Sequence, residues 1–194
     1  MSIDIVNVHQ MYQDEGYLGM IIGPMFAGKT SHLIQTYNKC KRANIPVQVV
    51  NFIGDNRYHD THLCSHDNVQ IDCIQLDELS KLMTYSILPE SVVLINEGQF
   101  FPDCLESIKY MVDELKLKVI VYGLDGDFKR KPFGKFLDLI PIATDLMKIK
   151  SQCYYCGYKN DALFSHRITD EIEQCVIGTS NYKPCCRKCY LKKA

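Results

Sequence analysis

The sequence predicts an α/β protein: a parallel sheet flanked by helices, followed by a small cysteine-rich unit. Three observations predict it. Short, continuous apolar runs at 17–22, 92–95 and 118–122 suit strands covered on both faces. The stretches 30–43 and 103–116 carry apolar residues at helical spacing. Near residue 150 the composition shifts, and cysteine, tyrosine and polar residues replace the apolar runs. A boundary there divides the chain into units 1–150 and 151–194.

The elements follow in order. YLGMII (17–22) is a buried strand that runs into a glycine-rich loop. Helix 30–43 turns Leu33, Ile34, Tyr37 and Cys40 inward, and Pro46 follows it. VQVVNF is the second strand and VVLI (92–95) a third. After Pro102, Leu105, Ile108, Val112 and Leu115 mark the inner face of helix 103–116. KVIVY (118–122) is a further buried strand. Strands alternating with helices imply parallel pairing with right-handed crossovers.

The bulk properties limit the function. The chain has 194 residues, 46% of them hydrophobic, which suits one α/β core with an appendage. A formal charge of −1 supplies no global basic field for nucleic acid or an anionic membrane. No apolar run is long enough to span a bilayer, and MSIDIVNVHQ has neither the basic start nor the apolar core of a signal peptide. A cytoplasmic location is expected. In that compartment the ten cysteines are thiols or metal ligands rather than disulfides, and six of them lie between Cys153 and Cys189.

Gly23-Pro24-Met25-Phe26-Ala27-Gly28-Lys29-Thr30 fits G-x-x-x-x-G-K-[ST] completely, with a strand before it and a helix after it. The glycines let backbone N–H groups turn inward around phosphate oxygens. Lys29 supplies a point charge to the β- and γ-phosphates, the Thr30 hydroxyl ligates Mg²⁺, and the helix start adds its positive end. The loop therefore holds a nucleoside triphosphate.

The acceptor side begins where VVLI ends in Asn96-Glu97-Gly98-Gln99-Phe100-Phe101. An acidic residue at the carboxyl end of a central strand, beside a phosphate loop, handles metal or a nucleophile. Glu97 is placed to accept the proton of an attacking hydroxyl. The competing reading is a glutamate that only orders the metal's surroundings. Asn96 offers a neutral oxygen where many such enzymes carry Asp. Asp55, after the second strand, is the candidate for the missing charge on Mg²⁺. Arg57 is the candidate for stabilising the phosphoryl group in flight. A turn with a surface ion pair competes with both assignments. In the loop Leu124–Gly134, Phe128 and Phe133 join Phe100 as a wall for a flat base, with ordinary core packing as the alternative. Lys129-Arg130-Lys131 is read as solvated.

Cys153-x-x-Cys156 and Cys186-x-x-Cys189 are separated by 29 residues and together make a closed Cys₄ zinc site, structural because no ligand position is left open. Closing a loop of that length costs roughly 3 kcal/mol plus a constant. Structural zinc contributes about 10–16 kcal/mol in small peptides, so the metal wins. The loop interior stays able to move over a ligand. Cys185 breaks the pair spacing and is left out. His59, His62, Cys64 and His66 crowd together, but a polar surface segment is preferred there over a second metal site.

The order of these parts resembles the type II, zinc-containing thymidine kinases. It comprises GPMFAGKT, D-N-R-Y (55–58), S-H-D (65–67), N-E-G-Q-F-F, L-D-G-D-F-K-R-K-P-F-G, C-x-x-C, V-I-G (176–178), Tyr182 and C-x-x-C. The resemblance covers about residues 17–191. It implies a phosphate-loop, RecA-like parallel sheet with a C-terminal zinc-binding lasso closing over the nucleoside. It implies transfer of the γ-phosphate of ATP to the 5′-hydroxyl of thymidine, with Mg²⁺ and structural Zn²⁺. By position, Glu97 matches the family's base, and Arg57 and Asp55 match residues near the phosphate and metal. Met25, Phe100, Leu124, Phe128 and Phe133 match the thymine pocket. Val176, Gly178 and Tyr182 match the lasso, and Ser165 a small hydroxyl residue against the base. A homotetramer and feedback inhibition by thymidine triphosphate are further implications.

The chain also departs from that pattern. Ala27 replaces a common Ser, Asn96 the usual Asp, Asn51 a frequent Lys and Gln174 an apolar lasso residue. The chain ends soon after the last cysteine, without the longer regulatory tail of many cellular members, so no cell-cycle control is expected. A nucleic-acid-associated ATPase with a zinc ribbon is the rival reading. It asks for a basic face and a larger fold, which this near-neutral, short chain does not offer.

Overall fold

The computed structural model describes residues 3–54, 62–64, 69–88, 90–157, 159–176, 178 and 180–193. In chain order the elements are α1 (Ile5–Met11), β1 (Tyr17–Ile22), α2 (Lys29–Arg42), β2 (Val47–Phe52), β3 (His62–Cys64), β4 (Gln70–Asp72) and β5 (Ile74–Leu76). They continue with β6 (Val92–Ile95), α3 (Cys104–Asp113), β7 (Lys118–Gly123), β8 (Asp145–Lys148), β9 (Ser151–Gln152) and β10 (Asp161–Ala162). The chain closes with β11 (Phe164–Arg167), β12 (Tyr182–Cys185) and α4 (Arg187–Lys193).

Six strands form one sheet in the order β5-β2-β6-β7-β1-β8, and every neighbouring pair is parallel. The expected runs at 17–22, 47–52 and 92–95 have the predicted bounds, and the run at 118–122 extends to Gly123. All residues of β1, β6 and β7 are buried, as unbroken apolar runs require when helices cover both faces. The strand alternation then sorts the side chains. Leu18, Met20, Val93, Ile95, Val119 and Val121 face a core shared with Ile108 and Met111 of α3. Tyr17, Ile21, Val92, Leu94, Ile120 and Tyr122 face the opposite core, shared with Leu33, Ile34 and Cys40 of α2 and with Ile5 and Val8 of α1.

Each helix has identifiable ends. α2 starts directly after Gly28, whose φ of 81° lies in the left-handed region that only glycine adopts freely. Its last turn carries Lys39, Lys41 and Arg42, which favour the negative helix end. α3 is shorter than its apolar spacing predicts. The chain leaves the helix after Asp113, so Leu115 is exposed instead of packed, and Cys104 and Met111 fill the inner face. The Asp103 carboxylate accepts hydrogen bonds from the backbone N–H groups of Leu79 (2.9 Å) and Ser80 (2.8 Å) and from the Ser107 hydroxyl (2.8 Å). It thereby ties the 3₁₀ turn Leu79–Thr84 to α3.

From Ser151 onward the chain forms two small antiparallel ribbons, β9 with β10 and β11 with β12. Their own small core is built on Cys153, Ala162 and Cys186. Among the described residues, no helix is long and apolar enough to cross a membrane.

Candidate active site

The phosphate loop leaves β1 at the carboxyl end of the sheet, the edge where open α/β sheets bind ligands. Lys29 is buried, and its Nζ donates to the carbonyls of Gly23 (3.0 Å) and Pro24 (2.7 Å), so the loop is curled around its own lysine. Phe26 adopts a φ of 64°, unusual for a bulky side chain.

Strand β7 separates β1 from β6, and β6 ends in Asn96 and Glu97. Glu97 has φ 53° and ψ 41°, a conformation that costs a non-glycine residue about 1–3 kcal/mol. Its carboxylate Oε2 accepts a 2.7 Å hydrogen bond from Gln99 Nε2, while Gln99 Oε1 accepts the backbone N–H of Leu124 at 2.9 Å. Gln99 therefore fastens Glu97 to the loop that follows β7. Gly123 makes the room: a Cβ there would lie 2.7 Å from Gln99 Oε1 and 2.6 Å from the Phe136 ring. Asn96 is only 1% exposed and stands at the end of a ladder of neutral amides. Its Nδ2 donates to Asn51 Oδ1 (2.8 Å), and Asn51 Nδ2 donates to Gln75 Oε1 (3.1 Å). The two departures noted in the sequence, Asn51 and Asn96, are thus direct partners.

A cavity of about 1070 Å³, its open mouth included, joins these parts. Of the residues singled out from sequence, Met25, Phe26, Ala27, Gly28, Lys29, Thr30, Glu97, Phe100, Leu124, Phe128, Phe133, Ser165, Val176, Gly178 and Tyr182 all line it. Gly23 and Pro24 serve behind the wall through their carbonyls, and Asn96 is not in the lining. Asp55 and Arg57 lie outside the described residues, as do His59 and His66. His62 pairs with Asp72 at 3.3 Å. Phe100 and Phe133 meet edge-on at 5.7 Å, and Phe52 packs on Phe100 at 5.6 Å. Ser165 Oγ accepts the backbone N–H of Met25 at 2.9 Å, so β11 holds the phosphate loop directly.

Four contacts had no local sequence signature. Gln99 is one. Asp127 is another: one carboxylate oxygen takes the N–H groups of Lys129 and Lys131, both at 2.8 Å, and the other takes Gln174 Nε2 at 3.0 Å. Gln174 thereby ties segment 171–176 to the loop 124–134. The third is Tyr190 of α4, whose hydroxyl donates to the Phe128 carbonyl at 2.7 Å. Arg167 is the fourth, with its guanidinium 3.8 Å from the centroid of the Phe128 ring. Of the basic run, Lys129, Arg130 and Lys131 are exposed as expected, though Arg130 also stacks on Tyr190 at 4.7 Å.

The sulfur atoms of Cys153, Cys156, Cys186 and Cys189 lie within 4.8 Å of one another. Four thiolates on a tetrahedron of zinc bonds stand about 3.8 Å apart, so the cluster fits a closed zinc centre. Burial alone would push the Cys153 thiol up. Hydrogen bonding from the backbone of Cys186 and Cys156 outweighs it and brings the thiol down to about 6. Cys185 stands outside this cluster, and its thiol donates to the Cys186 carbonyl at 3.5 Å.

A parallel sheet with this loop at its ligand edge, and a walled cavity running from the loop to a glutamate, defines the class: a phosphate-loop kinase. Residues 16–190 match the family model described as Thymidine kinase. The chain is 40% identical over 177 residues to the thymidine kinase of Vaccinia virus (strain Western Reserve), covering 91% of this chain and 97% of that protein. It is 42% identical over 176 residues to the thymidine kinase of Rabbit fibroma virus (strain Kasza), covering 90% and 96%. With the thymidine kinase of Yaba monkey tumor virus (strain VR587) it shares 39% over 183 residues, covering 94% and 98%. The chain belongs to the thymidine kinase family.

Proposed function

We propose that this chain transfers the γ-phosphate of ATP to the 5′-hydroxyl of thymidine, giving ADP and thymidine 5′-monophosphate. The observation that carries the proposal is that Lys29 and Thr30 of the phosphate loop, Glu97, and Phe100, Phe128, Val176 and Tyr182 all line one cavity. The triphosphate lies in the loop, where Lys29 exchanges its hold on the Gly23 and Pro24 carbonyls for the β- and γ-phosphates. The base lies against the aromatic wall, beneath a lasso formed by the unit 151–194. As the 5′-oxygen bonds to the γ-phosphorus, the bond to the β,γ-bridging oxygen breaks and ADP leaves. The hydroxyl proton passes to the Glu97 carboxylate, which Gln99 keeps aimed.

Thr30 and Asp55 are the residues proposed to hold Mg²⁺, which would neutralise charge on the phosphates when bound; Asn96, expected beside them, is buried in its amide ladder outside the cavity lining and is left out of that set. Arg57 is assigned to the charge of the moving phosphoryl group. The four clustered cysteines hold zinc, which pins both ends of the lasso and takes no part in the chemistry. The phosphate-loop residues and the aromatic wall line one cavity, and thymidine triphosphate is proposed as a feedback inhibitor that would occupy both. A cytoplasmic homotetramer completes the proposal. The edge strand β8, with exposed Leu146, offers a surface for self-association.

Labelled γ-phosphate should pass from ATP to thymidine. Glu97→Gln should lower kcat by about 10²–10⁴-fold while thymidine still binds. Hydrolysis of ATP that ignores nucleoside, or a Glu97→Gln variant with full turnover, would reject the assignment.

A further inference from the structure

Arg167 is 6% exposed, and its hydrogen bonds run to neutral oxygens. The guanidinium donates to the carbonyls of Glu171 (2.9 Å), Glu173 (2.5 Å) and Gln174 (3.2 Å), and to the Tyr182 hydroxyl (2.5 Å). Tyr182 passes the order on: its hydroxyl donates to the Val176 carbonyl (3.2 Å) and accepts the Val176 N–H (3.3 Å). One face of the guanidinium covers the Phe128 ring at 3.8 Å. Burying a cation is expensive unless the surroundings replace its water. Here carbonyls converge on its edge and an aromatic ring covers its face, a combination suited to a planar guanidinium and not to an ammonium. The residues gathered in this way, Val176, Tyr182 and Phe128, all line the cavity, where the proposed function places the base.

We propose that Arg167 is a positioning residue for the nucleoside. It locks segment 171–176 and the Phe128 ring into one pre-formed wall, without touching the phosphate loop or Glu97. The proposal rests on the thymidine-binding reading above. Pre-forming the wall spares thymidine the cost of ordering it, so the effect falls on nucleoside affinity.

The test compares parent, Arg167→Lys and Arg167→Met by calorimetric titration with thymidine, steady-state kinetics and zinc analysis. Arg167→Met should weaken thymidine binding on the order of 30-fold, and Arg167→Lys about 10-fold, since charge without the planar fork restores only part of the wall. kcat at saturating thymidine and KM for ATP should stay within about 3-fold of the parent, and zinc should stay bound; a purely structural role would not produce this split. A parent that fails to bind thymidine sinks the functional reading itself. A parent that binds, with either variant matching its affinity or losing kcat alone, overturns the role of Arg167. Loss of zinc from both variants overturns it too, because Arg167 would then be a determinant of the fold.

Discussion

Replacing Gln99 with Leu probes how the glutamate is held. Gln99 is 5% exposed and joins Glu97 Oε2 to the Leu124 N–H through hydrogen bonds of 2.7 and 2.9 Å. Leu fills nearly the same space, so the change removes bonds and leaves little void. A hydrogen bond to a charged group contributes about 1.5–3 kcal/mol and a neutral one about 1 kcal/mol. The cavity beside Glu97 is open, and water entering it recovers part of the loss for the carboxylate. The net cost should be about 2 kcal/mol, read by urea denaturation. The carboxylate also loses a donor that favours its charged form, so it holds its proton to higher pH. The acidic limb of the kcat profile should therefore shift toward higher pH, with kcat reduced at pH 7. Gln99→Glu keeps an acceptor for Leu124 but sets a second carboxyl beside Glu97, so the limb should shift at least as far. A Gln99→Leu protein with parental stability and an unmoved limb would refute the reasoning.

The remaining predictions follow from other parts of the molecule. Cys153→Ser should reduce zinc from about one per chain toward none and release segment 154–185 to protease, whereas the same change at Cys185 should keep the metal; elemental analysis separates the two. For Asp103, burial alone would raise its pKa, but donors from Leu79, Ser80 and Ser107 hold the carboxyl below its ordinary value. A depressed carboxyl contributes stability above its unfolded pKa of about 3.9, and that contribution disappears as pH falls through the lower folded value. Asp103→Asn should accordingly cost about 1–2 kcal/mol at pH 7, and its gap from the parent should narrow below about pH 4; a gap that widens in acid contradicts this. Asn51→Lys alone buries an unpaired cation and should destabilise by about 3–5 kcal/mol. Combining it with Asn96→Asp supplies a partner at the 2.8 Å contact and should recover most of the loss in a double-mutant cycle.

Local patterns were legible in the sequence, and long-range agreements were not. Strands β1, β6 and β7 announce themselves because full burial demands unbroken apolar runs. Strand β5 has only three residues, and β8 at the sheet edge is mostly exposed, so neither carries a readable period. Leu115 kept the helical spacing while the backbone had already turned away after Asp113. At the site, the phosphate loop and the paired cysteines are contiguous motifs. Gln99 meets Leu124, Asp127 meets Gln174 and Tyr190 meets Phe128 across gaps of 25, 47 and 62 residues. Each of these side chains is an ordinary polar or aromatic residue until the fold brings its partner near. The amide pair of Asn51 and Asn96 was visible only as two separate oddities, and the sheet makes them one feature.

Strand order also acts as a gauge. Adjacent strands lie about 4.8 Å apart, so the one strand between β1 and β6 sets their axes roughly 10 Å from each other. That interval is a backbone quantity, fixed by the ladder of peptide bonds along β7. Side chains on either bank can change while the stride from donor to acceptor keeps its length. Tolerance of such change is therefore a property of the frame, and a family built on it can diversify its lining without re-measuring the gap.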